Sequence, residues 1–156
     1  MFIRCYGFIF VAQIVNKITS TLLTNPETCF LLEGYSQGAA ATVNALPRLT
    51  GSAFDAVKGV FLIGNPERKS GLACNVDNNG GTSTKYATGL EPFFGGIPSN
   101  WVSKTLDVCT LGDGVCDTAS GFGITAQHLS YGFDAGVQNQ GTKFGVAVLR
   151  GNTYTP

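Results

Sequence analysis

The pentapeptide Gly34-Tyr35-Ser36-Gln37-Gly38 has the form G-x-S-x-G, the turn between a strand and a helix that holds a serine hydroxyl out for nucleophilic attack. Its two glycines have a physical reason. Residues two before and two after the serine press against each other in so sharp a turn, and side chains there would clash. Because 21 of the 156 residues are glycine, the pattern alone says little, and its surroundings give it weight. It follows a short apolar run, Thr28-Cys29-Phe30-Leu31-Leu32, and precedes Ala39-Ala40-Ala41, whose small side chains allow a helix to lie close against a sheet.

A serine hydroxyl near neutral pH needs a general base to take its proton, and His128 is the only histidine in the chain. The chemistry therefore depends on His128 reaching Ser36. In strand-turn-helix hydrolases the acid lies between serine and histidine in chain order, at the carboxyl end of a strand. Asp113, in Cys109-Thr110-Leu111-Gly112-Asp113-Gly114-Val115-Cys116, fits that place best. Asp107, inside the preceding strand, and Asp117, beyond Cys116, are its rivals. The structural alternatives are a serine in a glycine-rich turn and a histidine with no chemical role.

The elements that must position these groups alternate in type. Val11, Ile14, Val15, Ile18 and Leu22 recur at three- and four-residue intervals, one face of an amphipathic helix that Asn25-Pro26 stops. A strand over 28–32 leads into the serine turn, and a helix from about Gln37 to Leu46 follows it. Val57 to Ile63 reads as a second buried strand and Thr105 to Cys109 as a third, with a glycine-, asparagine- and proline-rich loop from 64 to about 103 between them. A last helix runs from about Asp134 to Leu149. Strands alternating with helices predict a parallel sheet covered on both faces, in a single domain spanning 1–156. Met1 to Ala12 carries one positive charge ahead of a short apolar stretch, which reads either as a cramped signal peptide or as the start of an element packed on the core.

Composition excludes several other classes. Ten basic and ten acidic residues, without a local basic cluster, give no field for a nucleic acid or an anionic membrane. No apolar run approaches the ~20 residues of a membrane-spanning helix. Five scattered cysteines and one histidine do not have the spacing of a metal site. Asn75-Val76-Asp77-Asn78-Asn79-Gly80 resembles the opening of a calcium loop, yet it begins with asparagine and has Tyr86 where a bidentate glutamate is needed, so a polar turn is expected. No phosphate-binding loop and no N-glycosylation pattern is present.

GYSQGAA, CTLGDGVC and ITAQHLSYG, in this order, resemble the cutinase and acetylxylan esterase family of carbohydrate esterases, over about Val11 to Arg150. The resemblance implies a three-layer α/β/α sandwich of the α/β-hydrolase type, with Ser36 as nucleophile, Asp113 as orienting acid and His128 as base. It also implies that the Gln37 amide is an oxyanion donor, and that Phe122, Ile124 and Leu129 line the acyl cleft. Cys109 and Cys116 match the family's disulfide, and closing so short a loop would constrain the unfolded chain by about 2.5 kcal/mol. Cys5, Cys29 and Cys74 have no assigned partners.

Further implications are an extracellular monomer, no metal or other cofactor, and an ester of a plant polymer or a small acyl group as substrate. Cutin and acetylxylan are not separable at this stage. Family members carry a strand, a helix and another strand before the helix with which this chain starts, and a second oxyanion donor lies just after the first of those strands. Their absence predicts a serine strand at an open sheet edge, which residues 2–10 could cover, and a marginally stable or weakly active product. A noncatalytic remnant that binds apolar ligands through its cleft and edge is the reading from another class.

Overall fold

The computed structural model describes residues 3–155, with side chains from residue 10 onward. The first helix, α1 (Ile3–Thr24), begins earlier than the apolar spacing from Val11 suggests. It leads to β1 (Phe30–Tyr35), and α2 (Gln37–Ala45) follows after the single residue Ser36. A 3-10 turn (Leu46–Arg48) and α3 (Ser52–Ala56) then connect to β2 (Val57–Ile63). The loop after β2 contains the two-residue strand β3 (Asn75–Val76) and a 3-10 turn (Ser99–Lys104) before β4 (Thr105–Val108). The chain ends with α4 (Ala126–Ser130), a 3-10 turn (Tyr131–Phe133) and α5 (Ala135–Leu149).

All strand pairs are parallel and the sheet order is β1-β2-β4-β3. β2 is central in function as well as in place, because alternate side chains of a strand point to opposite faces. Val60 and Leu62 enter a cluster with Ile18, Ala39, Val43 and Trp101, under α1 and α2. Phe61 and Ile63 enter another with Leu106, Val108, Val137, Phe144 and Val148, under α5. A sheet packed on both faces explains why Val57–Ile63 reads as a continuous apolar run. The same packing demands Gly59, where a Cβ would lie 2.8 Å from Val148 and 2.9 Å from Phe144.

The sequence places the first strand too early. β1 runs through Gly34 to Tyr35 because Gly34 pairs with Leu62 and Tyr35 with Ile63, so the ladder overrides the glycine's weak strand preference. Thr28 and Cys29 stay outside it. β1 is the edge of the described sheet, as expected. Cover by residues 2–10 concerns side chains outside the described ones, except Phe10, which is exposed. The third strand stops at Val108, and the Cys109 amide still donates to the Val76 carbonyl.

The long loop is organised by a buried ion pair. Arg68 and Asp107 are both fully buried, with Nη1 and Oδ1 2.9 Å apart. The guanidinium N–H groups donate to the carbonyls of Asp107, Val76 and Thr84, and Asn65 donates to Asp107 Oδ2. One side chain thus ties β4 to β3 and to the loop beyond it. Burial pushes the Asp107 carboxyl up, and the Arg68 charge and the Asn65 hydrogen bond oppose that. Asp77, in the loop that resembles a calcium site, accepts hydrogen bonds from the amides of Asn79, Gly81 and Ser83 and from the Ser83 hydroxyl, so this segment is the expected polar turn.

Replacing Arg68 by methionine leaves Asp107 buried without its countercharge. Urea unfolding of the R68M variant should show a loss of about 3–5 kcal/mol, whereas an exposed change such as Lys143→Met should cost under about 0.5 kcal/mol.

Candidate active site

Gly34 makes the serine turn possible. A Cβ there would lie 2.7 Å from Ala39 Cα and 2.7 Å from the Gly38 carbonyl oxygen, both backbone atoms. Gly38, by contrast, has open space where its Cβ would be, so the close approach is met on one side of the serine only. Ser36 itself has φ 55° and ψ −123°, and is the only non-glycine residue with positive φ among those described. Such a conformation persists only when surrounding contacts enforce it. Here the Ser36 amide donates to the Ile63 carbonyl of β2, and the Ser36 carbonyl accepts from Ala39 as α2 begins.

His128 reaches the serine. Its Nε2 is 2.9 Å from Ser36 Oγ, and its Nδ1 is 2.9 Å from Asp113 Oδ2 and 3.0 Å from Oδ1. Asp113 is fully buried and His128 nearly so. With the carboxylate on Nδ1, the proton belongs on that nitrogen, and Nε2 presents its lone pair to the serine hydroxyl. Of the rival acids, Asp107 is committed to Arg68, and Asp117 Oδ2 accepts from the Gly112 amide within the acid loop.

Short contacts hold Asp113 and His128 together. Cys109 and Cys116 are joined by a disulfide across the loop that carries Asp113, so neither thiol is free to ligate a metal. Among the described residues Cys29 and Cys74 are unpaired thiols. The Val115 amide donates to Asp113 Oδ1. Thr125 caps α4 by accepting from the His128 amide, and its hydroxyl also donates to the Gly112 carbonyl, joining the histidine's helix to the acid loop. Tyr35, next to the serine, donates to the His128 carbonyl at 2.7 Å and stacks on the imidazole with centroids 5.1 Å apart. Tyr131 donates to Asp113 Oδ2 at 2.5 Å.

Gln37 opens α2, and its amide is one of the first-turn N–H groups without a partner inside the helix. Leu129 lines a groove of about 730 Å³ between β1 and α5, together with Leu31, Tyr35, Phe61, Ile63 and Tyr131. Phe122 and Ile124 stand outside that groove, 85% and 72% exposed on the loop before α4. Sequence reading missed Tyr35, Thr125 and Tyr131. Thr125 and Tyr131 lie three residues on either side of His128, a spacing that puts them beside it once the segment is helical, and this was their available signal.

The parallel sheet between helices, with its nucleophile turn at the carboxyl end of a strand, places the chain among α/β-hydrolase folds. More narrowly, it belongs to the cutinase family, whose sequence model, described as Cutinase, matches residues 11–148. A solved cutinase-like protein from Cryptococcus sp. is 61% identical, with TM-score 0.88 over 92% of this chain and 71% of its own. The catalytic core of an acetyl xylan esterase from Trichoderma reesei is 26% identical, with TM-score 0.69 over 94% of this chain and 70% of its own. A probable cutinase 1 from Aspergillus niger is 34% identical over 71% of this chain, which amounts to 33% of that protein. The chain thus spans a third to two fifths of the length of the first curated relatives it matches. Among the described residues no helix is long and apolar enough to cross a membrane.

Breaking the disulfide should loosen the acid loop before it affects the core. The Cys109→Ala/Cys116→Ala double variant is expected to lose about 2.5 kcal/mol in denaturant unfolding. Added dithiothreitol should lower the midpoint of the parent chain toward that of the variant and leave the variant unmoved.

Proposed function

We propose that this chain is a carboxylic ester hydrolase that works through an acyl-enzyme on Ser36. The observation that carries the reading is the unbroken hydrogen-bond chain Ser36–His128–Asp113, built on the strained Ser36 backbone. His128 Nε2 takes the serine proton as Oγ attacks the ester carbonyl, and Asp113 holds the resulting imidazolium. The Gln37 amide donates to the oxyanion. His128 then returns the proton to the departing alcohol, and water repeats the sequence to release the acid. These steps need no metal or other cofactor.

The substrates proposed are short-chain acyl esters and cutin, with acetylated xylan as the alternative. The cutinase family and the cutinase-like relative favour the first, and the likeness to an acetyl xylan esterase core keeps the second open. Phe122, Ile124 and Leu129 lie within six residues of His128 in sequence and are proposed to receive the acyl group, Leu129 from within the groove. A disulfide beside the acid supports an oxidising, extracellular location. We further propose that residues 1–156 act as one domain and as a monomer. The second reading, a binding remnant without turnover, is favoured by one observation, the place of β1 at the sheet edge.

Hydrolysis of p-nitrophenyl butyrate by the purified chain decides between them. Ser36→Ala should reduce kcat by about 10⁴-fold or more, and a phosphonate ester should label the parent chain once, at Ser36. A folded chain with neither turnover nor labelling would establish the second reading.

A further inference from the structure

Asp113 must offer His128 a carboxylate of fixed orientation and fixed charge, and three donors surround it. Val115 N–H is on Oδ1, His128 Nδ1–H lies between the two oxygens, and the Tyr131 hydroxyl is on Oδ2 at 2.5 Å. Tyr131 is only 4% exposed, and its oxygen is itself oriented by the Thr110 amide, which donates to it at 3.0 Å. Its ring stands edge-on to the imidazole, with centroids 6.2 Å apart, so one residue touches acid loop, acid and base. Cys116 Sγ also lies 3.2 Å from Oδ2, but a disulfide sulfur has no proton to donate.

We propose that Tyr131 is a positioning residue of the ester hydrolase, fixing the Asp113 carboxylate and setting how much of its negative charge reaches His128. This rests on the Ser36 acyl-enzyme reading for its meaning but not for its test. A hydrogen bond from the phenol withdraws charge from Oδ2, so the imidazolium is held less strongly than by a bare carboxylate. Burial first, then the hydrogen bond to Asp113 and its charge, push the Tyr131 phenol well above its ordinary range, so it stays a donor at any working pH. The other titratable groups nearby are Tyr35, stacked on the imidazole, and Asp117, held through the Gly112 amide.

Because His128 is the sole histidine, its ring C–H proton resonances report on it alone. In Tyr131→Phe, Asp113 keeps two donors, and the midpoint of the His128 titration should move up by about half a pH unit. The acidic limb of kcat/KM for p-nitrophenyl butyrate should move with it, while the plateau kcat falls about tenfold and KM changes by less than about twofold. 3-Fluorotyrosine at position 131 keeps the shape and strengthens the donor, so it should move the midpoint down, and it serves if the phenylalanine variant does not fold. Opposite movements support the proposal. A lowered melting temperature with the histidine midpoint unmoved in either variant overturns it and leaves Tyr131 a packing residue. Turnover that survives Ser36→Ala would instead sink the esterase reading, and the titration would still judge Tyr131.

Discussion

The passage from β1 to α2 takes one residue, and it closes only because Gly34 has no side chain to meet the backbone of Gly38 and Ala39. The proposed chemistry depends on that contact. A wider turn would move Ser36 off the carboxyl end of the sheet, where His128 waits at 2.9 Å. The strain at Ser36 is sustained from both sides, by the ladder to β2 and by the first turn of α2, so the proposed nucleophile is held by backbone rather than by a flexible side-chain network.

The proposed acid and base come from a different part of the chain and are held in a different way. Neither sits on a long element. Asp113 lies in a loop and His128 on a helix of five residues, and order there comes from a disulfide, a threonine cap and two tyrosine hydroxyls. Short irregular segments can keep ångström geometry when buried polar groups are fully partnered, because each misplacement then costs a hydrogen bond without water to replace it. The Arg68–Asp107 ion pair ties down the loop after β2, farther from the site.

Much of this was legible in the sequence. β2 and α5 were, since a doubly buried strand is apolar throughout and the last helix, read from about Asp134 to Leu149, is observed over Ala135–Leu149. The three residues that meet at hydrogen-bond distance were picked out by a constrained turn, a single histidine and the order of the chain. What stayed hidden has a common physical character. β3 is two residues long, too short for any period, and exists because β4 offers it a ladder. Arg68 and Asp107 are 39 residues apart in the chain, and no local pattern marks a pair that only folding joins. The end of β1 was misjudged because pairing with β2 carried a glycine into the strand.

The place of Ser36 at the end of β1 has a consequence for local motion. In the described sheet β2 and β4 each have neighbours on both sides, and β1 and β3 have one each. Backbone bonds shared with two partners open only with the whole sheet, whereas an edge strand can detach alone, at a fraction of the global unfolding free energy. Slow amide exchange should therefore be deeper in β2 and β4 than in the edge strands β1 and β3. Of the three groups that meet at the site, Ser36 thus follows an edge strand of the described sheet, while Asp113 follows the doubly paired β4.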